Sequence, residues 1–229
     1  MVWSLTVSET RLFPNRRFDA FLFDMDGTIL TSIVAAERVW ARWAERHGLD
    51  VPKFLPTIHG VRTIETIRRQ NLPAIDPEAE ARAIIAEEME DTDGIEGIKG
   101  AAAFLSSLPP HRWAIVTSAS RDLALTRIKV TGLPMPDIVV TGDDVSQGKP
   151  APDCFQLGAK KLGFDARDCA VFEDAVAGIT AGEAAGAGVV VITATHSHDL
   201  NTSHPKVQDY QHLRARPASD GKLELFLEN

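Results

Sequence analysis

The chain has 229 residues, 44% of them hydrophobic and 24% charged, with 24 Lys and Arg against 32 Asp and Glu and a formal net charge of -8. That is the balance of an ordinary globular protein, long enough to bury a core without covalent staples, as one large domain or a core carrying a smaller insert. The acidic surface argues against broad nucleic-acid binding, because nucleic-acid phosphates reward basic faces. It leaves room for a small anionic ligand, since screening confines exposed charge to about 8–10 Å.

Residues 1–13 hold no long apolar stretch and no cleavage-like site, so no signal peptide is expected. The first strand is expected at 18–23, an apolar run without clean alternation. That is how a strand buried on both faces reads. Residues 31–97 then break the rhythm, with helical periodicity and no convincing strand. Ile33, Glu37, Trp40, Ala44 and His47 fall on one helix face, which Gly48 closes. Asp76-Pro77-Glu78 is a helix start with a cap, a first-turn proline and a first-turn acid. The stretch 76–96 holds nine acidic residues and one arginine, so most of its outer face is expected to be solvated. The ends of this insert, at 30–32 and 94–100, are candidate hinges.

After the insert, helical and apolar segments alternate. Helices are expected over 101–108, 121–130, 152–162 and 175–185, with stops at Pro109, Gly132, Gly163 and Gly186. Buried strands are expected at 113–116, 169–172 and 187–192, with a weaker one at 137–140. Strands alternating with helices predict a parallel, Rossmann-like α/β sheet flanked by helices, with a small all-helical cap inserted after the first strand. The core is expected to comprise 1–30 and 98–229, and the cap 31–97. In the tail, 222–227 reads as an edge strand. Cys154 and Cys169 lack metal-ligand spacing, and Cys169, at the start of an apolar run, reads as a buried small hydrophobe; no disulfide framework is expected, in keeping with a reducing cytoplasm. No apolar run is long enough to span a bilayer.

The polar residues after the strands carry the chemistry. The run 18–23 leads into Asp24-Met25-Asp26-Gly27-Thr28, the run 113–116 into Thr117-Ser118, and the run 169–172 into Glu173-Asp174. Lys149-Pro150 comes after the strand candidate at 137–140 and precedes a helix. In parallel sheets, ligands bind beyond the carboxyl ends of the strands. Taken singly, these are a turn, a helix cap, a surface lysine and a capping pair. Together they can divide labour, one carboxylate attacking phosphorus and another moving a proton. Carboxylates from two loops make a hard oxygen site suited to magnesium. A phosphate dianion beside Asp24 and Asp174 meets repulsions of about 4 kcal/mol for each charge pair at 4 Å and an effective dielectric near 20. Magnesium and Lys149 together offset them.

These motifs resemble the haloacid dehalogenase-like superfamily over about 18–193. The match is Asp24-x-Asp26-Gly27-Thr28, Thr117-Ser118, Lys149-Pro150 and Glu173-Asp174-Ala175-x-x-Gly178. The resemblance implies that Asp24 is a nucleophile forming an aspartyl-phosphate and Asp26 the acid and base. It implies that Thr117, with Ser118 beside it, binds the phosphoryl group and that Lys149 neutralises charge. Mg2+ would be held by the Asp24 carboxylate, the Asp26 carbonyl and Asp174, with Glu173 as a supporting partner. An acid at position 26 favours phosphoryl transfer, because the dehalogenases of this superfamily lack it.

Residues 39–48 and Ile58-His59-Gly60-Val61-Arg62 resemble bacterial sugar phosphatases and fungal glycerol-phosphate and deoxyglucose-phosphate phosphatases. His59 and Arg62 are then expected to face the pocket from the cap, Arg62 forking onto the substrate; the alternative is a turn cap and a solvated helix residue. Trp40 and Trp43 are expected in the cap core, and Lys53 on the surface. The expected activity is a magnesium-dependent phosphoric monoester hydrolase for small sugar or polyol phosphates. Such a protein would be cytoplasmic and monomeric, with a small phosphorylated metabolite as partner and neither nucleic acid nor membrane. Two alternatives stay open. One is a phosphomutase like the beta-phosphoglucomutases, although their Gly-x-x-Arg cap pattern is here compressed to Gly60-Val61-Arg62. The other is a phospho-ligand binding module without turnover.

Overall fold

The structure, a computed structural model, describes residues 8–228. The reading of residues 1–7 as free of a leader lies outside the described residues. Strand β1 (Glu9–Arg11) precedes β2 (Ala20–Phe23), whose four residues are all buried. The two-residue β3 (Leu30–Thr31) leads into helices α1 (Ile33–Arg46), α2 (Val51–Phe54), α3 (Thr63–Arg69) and α4 (Pro77–Glu90). The chain returns through β4 (Glu96–Gly97) and then alternates: α5 (Ala101–Ser107), β5 (Trp113–Val116), α6 (Arg121–Thr131), β6 (Val139–Val140), α7 (Asp153–Leu162), β7 (Cys169–Glu173), α8 (Val176–Ala184) and β8 (Gly188–Ile192). Three further strands complete the chain: β9 (Lys206–Val207), β10 (Leu213–Pro217) and β11 (Leu223–Glu228).

The main sheet is six-stranded and parallel, in the order β6-β5-β2-β7-β8-β9. The chain builds outward from β2 to β5 and β6, then crosses back to β7 on the other side of β2. That reversal opens a crevice beyond the carboxyl ends of the central strands. Alternate residues of β2 serve opposite faces. Phe21 and Phe23 join one core with Phe104, Phe172 and Tyr210, where the Phe23 and Phe172 rings stack 4.4 Å apart. Ala20 and Leu22 join a second core under α7 and α8, with Phe155 and Ala181. Burial on both faces explains why this run lacks a polar alternation.

The helical insert has a core of its own, in which Trp40, Trp43 and Phe54 pack against Ile67 and Ile84. Asp76 caps α4 as its sequence predicts, accepting from the backbone N–H groups of Glu78 and Ala79 at 3.0 and 3.3 Å. The buried face of α1 is Ala35, Val39, Trp40, Trp43 and Ala44. It is rotated from the expected face, since packing on both α2 and α4 favours the side holding both tryptophans. The two candidate hinges pair with each other: β3 and β4 form an antiparallel ribbon, Leu30 opposite Gly97 and Thr31 opposite Glu96. Backbone groups at both ends of the insert are thereby satisfied.

The tail differs from its expected form. β11 is not an edge strand but the centre of a three-stranded antiparallel sheet, β1-β11-β10. Leu213, Leu223 and Leu225 from this sheet bury into the Phe21–Phe23 core. No helix among the described residues is long and apolar enough to cross a membrane. Cys154 and Cys169 are free and buried.

Candidate active site

Asp24 comes directly after β2 and is buried. Its N–H donates to the Phe172 carbonyl of β7 at 2.9 Å, so the sheet ladder holds the backbone at this point. The chain then turns sharply. Gly27 has φ +86°, and a Cβ there would fall on the Asp174 carboxylate. Only glycine lets the backbone lie this close to that group. Thr28, fully buried, donates its hydroxyl to Asp174 Oδ1 at 3.2 Å.

Lys149, 1% exposed, arrives from the loop before α7. Its ammonium pairs with Asp24 Oδ1, and donates to Glu173 Oε1 at 2.7 Å and to the Val116 carbonyl at 3.3 Å. The other oxygen of Glu173 accepts from the N–H groups of Asp174 and Ala175, at 2.8 and 2.9 Å. Three of the roughly four acceptor sites of Glu173 are therefore taken, so Asp24 and Asp174 keep more free lone pairs than Glu173 does. Four stretches remote in sequence, around Asp24, Thr117, Lys149 and Asp174, meet at one end of the sheet.

Electrostatics here is unbalanced. Three buried carboxylates, Asp24, Glu173 and Asp174, face one buried ammonium. Burial pushes the Asp24 carboxyl up to about 7 against the attraction of Lys149, and Glu173 adds to the rise. Burial, then the Glu173 and Asp24 carboxylates, push Asp174 well above the usual range. Burial works against the Lys149 charge, but Asp24 and Glu173 outweigh it and hold its pKa above the ordinary value. Oxygen atoms of Asp24, Glu173 and Asp174 lie within 4.8 Å of one another. Hard oxygen donors with unneutralised negative charge fit a small divalent cation.

Asp26 lies apart from this cluster. Its Oδ1 accepts from the Ser32 hydroxyl at 2.6 Å, and its Oδ2 pairs with Arg127 at 2.9 Å. A cavity of about 80 Å³ opens between the core and the helical insert, lined by Asp24, Asp26, Thr117 and Ser118 from the core and by Trp40 and His59 from the insert. Thr117 is buried, and its Oγ1 accepts from the Ala119 N–H at 3.1 Å. The Ser118 hydroxyl donates to the Gly60 carbonyl across the seam at 3.0 Å. His59 Nε2 lies 3.4 Å from Glu37 Oε1.

Arg62 is placed differently from expectation. Its guanidinium donates to the carbonyls of Val145 and Ser146, at 3.1 and 3.0 Å, and pairs with Glu65. These carbonyls belong to the loop preceding Lys149, so Arg62 sits in the seam between insert and core and not on the cavity wall. Two residues that no sequence motif singles out do line the cavity: Glu88 of α4 and Arg127 of α6. Glu88 is one of nine acids in a stretch expected to be solvated, yet it is 5% exposed. Burial pushes its carboxyl up to about 7 against the attraction of Arg127.

Gly178 on α8 offers a test of how tightly this site is built. A Cβ there would overlap the Glu173 carboxylate, which is pinned by Lys149 and two backbone N–H groups. Helix propensity alone would make Gly178→Ala stabilising by about 1 kcal/mol. Overpacking against a fixed, buried group costs about 1–3 kcal/mol and is expected to win. The variant should melt at a lower temperature and lose turnover. A rise in melting temperature would show that Glu173 is free to move.

The model of the haloacid dehalogenase-like hydrolases matches residues 18–186. Hexitol phosphatase A of Escherichia coli is 42% identical, over 78% of this chain and 84% of the relative. 2-Deoxyglucose-6-phosphate phosphatase 1 of Saccharomyces cerevisiae is 35% identical, over 80% of this chain and 82% of the relative. The crystal structure of beta-phosphoglucomutase from Clostridium difficile shares the fold, with a TM-score of 0.74 at 21% identity over 86% of this chain and 93% of that one. The family match spans every strand end that carries an acid, a hydroxyl or the lysine of the site, and the chain belongs to the haloacid dehalogenase-like hydrolases.

Proposed function

We propose that this protein hydrolyses small sugar or polyol phosphates, with Asp24 as covalent nucleophile. It is a phosphoric monoester hydrolase, and the relatives at 42% and 35% identity are named for a hexitol and a deoxyglucose phosphate. The observation that carries the reading is the meeting of Asp24, Lys149 and Asp174 beside a cavity that also holds Asp26 and Thr117.

In the proposed reaction an Asp24 carboxylate oxygen attacks phosphorus. The bond from phosphorus to the ester oxygen breaks, and the departing alkoxide takes a proton from Asp26. Water then loses a proton to Asp26 and attacks the aspartyl-phosphate, breaking the bond from phosphorus to Asp24 and releasing inorganic phosphate. Thr117 and nearby amides hold the phosphoryl oxygens, and the Lys149 ammonium offsets their charge. Mg2+, held by Asp24, Asp174 and the Asp26 carbonyl, would supply the further positive charge that a phosphate dianion needs beside these carboxylates. Residues 31–97 act as a cap over the site, excluding bulk water during transfer. Ser118 and His59 contribute to the substrate pocket from the two sides of the seam, and Arg62 holds the seam together.

A screen of phosphorylated metabolites with Mg2+, scored by kcat/KM, tests the reading. Sugar and polyol phosphates are expected to lead, with free phosphate as product. Conversion of a hexose 1-phosphate mainly into its isomer would assign a mutase instead. Removing divalent ions with EDTA is expected to abolish turnover, and Mg2+ to restore it. Full activity in EDTA would refute the metal assignment.

A further inference from the structure

Glu88 and Arg127 belong to none of the four motifs, yet both are 5% exposed and both line the cavity that holds Asp24 and Thr117. Glu88 comes from α4 of the helical insert and Arg127 from α6 of the core. Arg127 Nη1 lies 2.9 Å from Asp26 Oδ2, and Nη2 lies 3.1 Å from Glu88 Oε1. Stability does not call for such a cluster. Burying each ion costs several kcal/mol, and apolar residues of similar volume often serve a fold as well or better. Ile33 and Leu123 line the same cavity, and the Trp40 indole N–H is a further hydrogen-bond partner of the Glu88 carboxylate.

The Arg127 Nε–H is also buried with no partner among the described residues. Such an orphan donor is costly. Nε itself is closed to a molecule the size of water, so a ligand in the cavity meets the cluster at the Glu88 carboxylate, to which a hydroxyl can donate. Charge points the same way. The Arg127 guanidinium is already paired with Asp26 and Glu88, which leaves no spare positive charge for an anionic tail.

We propose that Glu88, held by Arg127, accepts from a hydroxyl group of the leaving alcohol and sets a preference for neutral polyhydroxylated phosphate esters over those ending in a carboxylate. This deepens the sugar and polyol phosphate reading and rests on it. The pair bridges α4 and α6, so it reads the substrate only where insert and core meet.

The test compares D-sorbitol 6-phosphate with 6-phosphogluconate, which differ only at C1, a hydroxymethyl group against a carboxylate. The assay runs at pH 8, above the raised Glu88 value of about 7, with saturating Mg2+. The wild type is expected to favour the polyol ester by about 30-fold or more in kcat/KM, and Glu88→Gln to shrink that ratio by roughly 10- to 100-fold. Gln can still accept from Arg127, which preserves the contact between insert and core. A ratio taken on one protein sample is also insensitive to a loss of folded fraction. Glu88→Asp keeps the charge and is expected to keep the preference. An equal fall for both substrates in Glu88→Gln would mean that the pair only holds the cap down, and the inference would be overturned. A wild type that turns over both esters without preference would overturn it as well. If the wild type releases phosphate from neither ester nor from any other sugar or polyol phosphate, the functional reading itself fails and takes the inference with it.

Discussion

Asp24→Asn is expected to lower kcat by about 10^5-fold or more, the scale of losing a covalent nucleophile, while the protein keeps its fold. The amide cannot form the acyl-phosphate bond, and neither Glu173 nor Asp26 is free to replace it. Glu173 is held by Lys149 and two backbone N–H groups, and Asp26 is held by Ser32 and Arg127. Stability should move the other way. Burial raises Asp24 to about 7 in the folded protein, while an unfolded carboxyl titrates near 4. Between these values the folded state binds more protons, so stability falls as pH rises through about 4 to 7. Above 7 the cost of ionising Asp24 is fully present, and Asn removes it. Melting curves in EDTA at pH 7.5 should therefore place Asp24→Asn at or above the wild type, with the gap closing towards pH 5. Undiminished turnover would sink the nucleophile assignment. A variant melting well below the wild type at pH 7.5 would show that the Lys149 contact outweighs desolvation.

Lys149→Met is the second large effect. Methionine has a similar volume, so the change removes a charge more than it opens a cavity. It leaves Asp24, Glu173 and Asp174 buried with no cation among them. Breaking a buried ion pair from one side costs about 3–5 kcal/mol, a fall in melting temperature of roughly 6–20 °C for a chain of this size. Turnover should fall by about 10^3-fold or more, because the same ammonium lies where phosphoryl charge would develop. Acid should narrow the stability gap, since protonating Asp24 and Asp174 removes the repulsion that the lysine had balanced. A variant as stable as the wild type at pH 7.5 would mean that water reaches these carboxylates.

Much of this site is legible in local patterns. A strand buried on both faces of a parallel sheet appears as a short apolar run, and the residues directly after it must lie at the sheet's carboxyl edge. That rule places Asp24, Thr117 and Asp174, and Lys149 is placed by its position before α7. The rule fails where burial is not local. The acids of 76–96 look alike in sequence, and only α4 packing over α6 turns Glu88 inward while its neighbours Glu87 and Glu90 stay less buried. Arg62 and Arg127 show the same limit in reverse. The arginine beside the cap motif is drawn to backbone carbonyls in the seam, and an arginine inside α6, outside every motif, reaches Asp26. In the tail, β10 and β11 mix leucine with charge, so their role as a sheet covering the Phe21–Phe23 core depends on pairing with β1, more than 200 residues away.

By itself, then, the amino-acid order determined which residues stand at the ends of buried strands, and with them a set of carboxylates and a hydroxyl at one edge of the sheet. Tertiary structure alone decided the cavity wall: Glu88 and Arg127 on it, Arg62 off it, and Asp26 tied to Ser32 and Arg127. Strand-end position is set by backbone periodicity within a few residues. The partner of a charged side chain is set by which elements pack together, and desolvation at that contact acts only once the chain has folded.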